Sequence, residues 1–70
     1  MEYTRYAAAL EKAVMKLVER GFNVIDVDEL WLETSIPIDL IVEIVKKRQI
    51  KFPENLQILR LQSQILWKKA

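Results

Sequence analysis

Apolar positions near the start of the chain recur at intervals of four and three. Tyr3, Ala7, Leu10, Val14 and Leu17 fall on one stripe of a 3.6-residue helix, which predicts a helix over residues 3–20. Gly21 supplies the left-handed residue that ends it. Phe22 stands where a Schellman cap wants an apolar contact back to Leu17. The stripe reads as core-facing. Its alternative is the seam of a coiled-coil dimer, for which two and a half heptads are short.

Residues 23–25 form a short extended piece. Asp26 then has the chemistry of an N-cap, with Glu29 three residues on to close a capping box and Ile25 and Leu30 as a hydrophobic staple. A second helix is expected over residues 27–34. Ser35-Ile36-Pro37 breaks it, and Pro37 suits the first position of a third helix over residues 37–48. Asp39 sits at the positive end of that helix dipole. Lys46, Lys47 and Arg48 sit at the negative end. Around this helix Leu40, Ile44, Ile41, Val45, Ile38 and Val42 cover an arc of roughly 200°, about twice a minimal apolar stripe. Such a helix is packed on two sides: one on the core, the other on the tail or on a second protein.

The tail is ambiguous. Phe52-Pro53-Glu54-Asn55 punctuates the chain, and residues 56–69 have a helical composition rich in Leu, Gln and Lys. At 100° per residue, however, their apolar positions split into two opposed groups. Alternation places Leu59, Leu61, Ile65 and Trp67 on one strand face, with a hairpin turning near Gln62-Ser63-Gln64. The helix is the favoured form and a wing-like hairpin the alternative. The expected fold is thus mainly α, a single three- to four-helix domain over residues 1–70.

Composition narrows the chemistry. With 70 residues and 51% apolar side chains, a small domain has little interior for so much hydrophobic surface, and some is expected at an interface. There is no Cys and no His, which removes disulfides, thiolate zinc sites, Cys nucleophiles and imidazole bases. One glycine cannot build a phosphate loop, and no spacing converges carboxylates, Lys or Ser, so neither an enzyme nor a small-molecule substrate is expected. Asp26, Asp28 and Glu29 are accounted for by capping without a metal, and no cofactor is implied. No run is long enough for a membrane span and the start lacks a signal peptide, so a cytoplasmic setting without membrane association is expected. Net charge is +1 but uneven. Residues 1–34 hold four Lys/Arg against seven Asp/Glu, residues 35–70 seven against three. That dipolar balance allows head-to-tail stacking or one basic face.

Short helix, tight turn and apolar helix closing on cations resembles the helix-turn-helix superfamily, including its winged-helix and excisionase-like variants. The resemblance covers residues 24–53. Leu30 matches the apolar core position of the family's first helix, Ile36 the apolar residue after the turn, and Ile41 with Ile44 the core face of the second helix. Residues 48–53 resemble the exit from a recognition helix into a small wing. Trp31 stands where the family usually has a small residue for close helix crossing, and Ser35 where it usually has Gly. The resemblance implies a dimeric, DNA-associated regulator of transcription.

The residues themselves divide on that implication. On this register the groove-facing positions are Pro37, Ile38, Asp39, Val42, Glu43 and Lys46, where base reading wants Arg, Lys, Asn or Gln. Lys46, Lys47, Arg48 and Lys51 suit phosphate contacts, which position a protein without reading sequence; their plainer role is a solvated helix end. Ile38, Val42 and Trp67 suit a protein partner, with Trp67 the better interface candidate and Trp31 as readily a core residue. Two expectations follow: a module on duplex DNA, or a protein-interaction and homo-oligomerisation module of the same fold.

Overall fold

The computed structural model describes residues 3–47 and 50–69. It has three helices, α1 (Thr4–Glu19), α2 (Val27–Thr34) and α3 (Ile38–Lys46), and three strands, β1 (Val24–Asp26), β2 (Ile58–Leu61) and β3 (Gln64–Lys68). The fold is therefore mixed α/β rather than mainly α.

Helix α1 is seated as its stripe requires. Ala7, Leu10, Val14 and Leu17 are buried within the chain's own core, so the stripe is core-facing and not a dimer seam. Its end is a Schellman motif. The Phe22 N–H donates to the Leu17 carbonyl at 3.1 Å and the Gly21 N–H to Val18 at 2.9 Å, with Gly21 at φ +97°. Phe22 itself stays 43% exposed, so the apolar half of that cap is incomplete.

Asp26 adopts extended backbone and its Oδ1 accepts from the Asp28 N–H at 3.0 Å, as an N-cap should. Ile25 and Leu30, on either side, are both fully buried. The capping box does not close. Glu29 Oε2 is buried with no hydrogen-bond partner among the described residues, and the second carboxylate oxygen of Asp26, Oδ2, is turned to the hairpin.

Helices α2 and α3 are joined through Ser35, Ile36 and Pro37. Ser35 lies in the left-handed region at φ +61°, and its N–H donates to the Trp31 carbonyl at 2.7 Å. Thr34 Oγ1 donates to the Leu30 carbonyl and accepts from the Ile36 N–H, which locks the turn. Pro37 is the N-cap of α3, one residue earlier in role than expected. Since a β-carbon in the left-handed region costs about 1–2 kcal/mol, against the roughly 0.5–1 kcal/mol entropy of glycine, Ser35→Gly is expected to stabilise by about 0.5–1 kcal/mol. Ser35→Val should destabilise by at least as much. Thermal melts of the pair check both signs; a Val variant that melts with the parent would refute the strained turn.

The tail is a hairpin, not a helix. Strands β2 and β3 are antiparallel, and β2 also lies parallel to β1, with Val24 opposite Ile58 and Asp26 opposite Arg60. The split apolar pattern that a helix could not place on one face is the signature of this sheet. Gln62, first residue of the turn, has φ +55°, the hand that two-residue hairpins favour. The expected shared face of Leu59, Leu61, Ile65 and Trp67 is interrupted. Leu59 pairs with Trp67 but Arg60 pairs with Ile65, so Leu66 is an extra, bulged residue. Beyond the bulge the alternation reverses. Leu66 and Trp67 both pack against the core, while Ile65 turns outward, 54% exposed.

The core is continuous. Leu10 and Val14 of α1, Ile25 of β1, Leu30 of α2, Ile41 and Ile44 of α3, Leu56 and Leu59 are all fully buried in one cluster, with Ile36 at the turn nearly so. Among the described residues no helix is long and apolar enough to cross a membrane.

Candidate nucleic-acid interface

Helix α3 shows the core Ile41, Ile44 and Val45 and shows solvent Asp39, Glu43, Lys46 and Lys47. Ile38 and Leu40 are half-buried against the core. Val42 is half-buried as well but lies outside the core cluster, on the border of the polar face.

Two of the exposed charges are already matched inside the chain. Lys47 Nζ lies 3.3 Å from Glu43 Oε1, and 5.0 Å from the centre of the Tyr3 ring in a cation–π arrangement. The Tyr3 hydroxyl donates to Glu43; with Lys47 it holds the Glu43 carboxyl below the usual carboxylate range, and Glu43 in turn raises Lys47 above the usual lysine range. This cluster joins the start of α1 to the end of α3. It pairs one of the two carboxylates that would repel phosphate with one of the four cations expected to bind it.

The remaining cations converge with the sheet. Lys46 from α3 and Lys68 from β3 border the same groove, of about 590 Å³, together with Val45, Ile50, Phe52, Leu66 and Trp67. Its volume is in the range of ligand clefts. Phe52 and Trp67 stack within it, ring centres 4.4 Å apart at 38°. Lys51 borders an adjoining groove with Phe52, Pro53, Glu11 and Met15, and its backbone N–H donates to Glu11 Oε2 at 2.9 Å. On the hairpin, Lys69 Nζ donates to the Glu54 carbonyl at 2.7 Å.

The expected site is thus redistributed. Lys46 and Lys51 are exposed at the groove, Lys47 is paired, and Arg48 lies outside the described residues. Trp67, expected at an interface, is half-buried on Phe52 and the core; Trp31, as readily expected in the core, is 46% exposed and does not wedge between α2 and α3. Lys68 joins the site only because β3 folds back beside α3. The period-two pattern was the one signal for that, since residues 46 and 68 are otherwise unrelated. In the Tyr3–Glu43–Lys47 cluster the Glu43–Lys47 pair is a local i,i+4 spacing, whereas Tyr3 had no local signal. No family model, curated protein or solved structure matches the chain, so the site is interpreted on its own geometry.

Proposed function

We propose that the chain is a winged helix-turn-helix-like module that associates with duplex DNA through the phosphate backbone, without reading bases directly. The observation that carries this is the convergence of Lys46 and Lys68 on one groove between α3 and the hairpin, with Lys51 beside it. In this reading α2 and α3 are the two helices, Ser35 the turn, and β2 with β3 the wing. Lysines on the helix end and on the wing bracket a phosphate strand as point charges. Glu43 is anionic but paired with Lys47, so it opposes this less than a free carboxylate would; Asp39 stands at the far end of α3.

Three or four phosphate contacts give an affinity that falls about 40- to 150-fold between 50 and 200 mM salt. A mobility shift on arbitrary duplex DNA should show that slope and little sequence preference. The double variant Lys46→Glu/Lys68→Glu should lose the shift, whereas Lys47→Ala, which removes a paired cation, should weaken it less than threefold. Failure of the native chain to shift DNA at about 50 mM salt would refute the proposal.

One observation favours a second reading, binding of a protein partner by the same helix: Val42 is apolar, half-exposed and outside the core cluster, with Ile38 one turn away. Val42→Asp would then abolish a partner complex while leaving DNA binding reduced only by its added charge.

A further inference from the structure

Among the described residues two surfaces have no intramolecular partner, and they differ in sign; one of them meets the groove at Lys68. The first is the outward face of α2, where Trp31 is 46% and Leu32 73% exposed. Asp28, one helical turn before Leu32, is exposed on the same side of the helix and enters no ion pair among the described residues. Glu33 is not part of this charge, since Lys16 and Arg20 approach it at 3.6 and 3.8 Å.

The second is the outer face of the sheet. The strand registers place Val24, Ile58 and Lys68 in one row across it, and Asp26, Arg60 and Ile65 in the next. Their inward neighbours Ile25 and Leu59 are fully buried, whereas Val24, Ile58 and Ile65 are all outside the core cluster and its packed rim. The face therefore offers three aliphatic side chains and two cations. Asp26 offsets one of them, with its Oδ2 3.8 Å from Arg60 Nε. Lys68 is in excess.

We propose that these two faces bind each other between copies: the outer sheet face of one chain docks on the Trp31–Leu32 face of α2 of a second copy. Both are apolar at the centre, as protein interfaces require once desolvated, and their rims are opposite in charge. The like-with-like pairings are selected against. Two α2 faces would set Asp28 against Asp28, and two sheet faces would set Lys68 against Lys68. The bulge at Leu66 is what makes the sheet face adhesive, because it turns Ile65 outward opposite Arg60.

Sedimentation velocity on single-site variants distinguishes the pairings. The native chain should associate with rising concentration. Leu32→Asp and Ile65→Asp should each be monomeric, with unchanged helical circular dichroism, because both side chains are exposed. An equimolar mixture of the two variants should regain a one-to-one dimer, since each retains the face the other has lost. Trp31→Ser and Ile65→Thr give the same test should an aspartate perturb folding. A native chain that stays monomeric at several hundred micromolar would overturn the proposal. So would a mixture that fails to associate, or an association abolished by only one of the two changes.

Discussion

Leu30→Ala is expected to bring the chain close to unfolding at room temperature, while Leu32→Ala, two residues along the same helix, should shift stability by no more than about 0.5 kcal/mol. Leu30 is fully buried; Leu32 is 73% exposed. Truncating a buried leucine costs about 2.7–5 kcal/mol, according to how far the cavity collapses. A 70-residue chain has a total stability of roughly 4–10 kcal/mol at the usual 0.05–0.15 kcal/mol per residue. One side chain therefore accounts for a large fraction of the whole. Relaxation around Leu30 is restricted. Its carbonyl is held by Thr34 Oγ1, and Ile25, on the other side of the Asp26 cap, is also fully buried. Urea unfolding followed by circular dichroism gives both values. A loss under about 1 kcal/mol for Leu30→Ala would mean that α2 is not seated on the core by this residue. The contrast also separates folding from association, because Leu32 belongs to the proposed self-docking face.

The helices were legible because their signals are local. The four-three stripe of α1, Gly21 at its end, Asp26 at the start of α2 and the turn at Ser35 each act within a few residues, and each recurs in the structure at or within two residues of where the pattern puts it. The tail was less legible because its two signals conflict. Leu, Gln and Lys are good helix formers, and that propensity is intrinsic; the period-two spacing depends on a partner strand. That partner is β1, which meets β2 across 34 residues of chain at Val24 and Ile58. Tertiary pairing overrode propensity. The bulge at Leu66 then moved Ile65 off the face that simple alternation assigned to it.

Legibility of the candidate site follows the same division. The run of Lys46 and Lys47 is visible as sequence, but which of them is available is not. Glu43, one turn before Lys47, is the local part of that choice, and Tyr3, more than forty residues before Lys47, is the part that only the fold supplies. The surroundings of the two tryptophans were hidden for a related reason. Nearness to the C-terminus made Trp67 look hard to bury, yet the hairpin carries it back onto Phe52, while Trp31 sits on the outer side of a helix only eight residues long.

Asp26→Ala should cost about 2–3 kcal/mol. The residue belongs to three elements at once. Its Oδ1 caps α2 through the Asp28 N–H, its Oδ2 accepts from the Gln62 N–H at 3.2 Å in the hairpin turn, and the same oxygen faces Arg60 on β2. Loss of an N-cap costs about 1 kcal/mol and loss of the second hydrogen bond about as much. The Arg60 pair adds at most about 1 kcal/mol, being long and half-exposed. Asp26→Asn distinguishes the parts. Its amide oxygen can keep the cap, but its NH₂ would then face the Gln62 N–H and Arg60, both donors, so roughly half the loss should remain. Arg60→Ala should cost no more than about 1 kcal/mol. Amide exchange locates the damage: Gln62 should lose protection in Asp26→Ala well before the core amides of α1 do, because the hairpin is tied to α2 at this point. The hairpin also carries Lys68 and Trp67, so the same variant should weaken DNA binding at temperatures where the helices remain intact. Equal losses for Ala and Asn would show that the hairpin contacts matter more than the cap; a loss under 1 kcal/mol in Asp26→Ala would show that the hairpin is oriented by its apolar face alone.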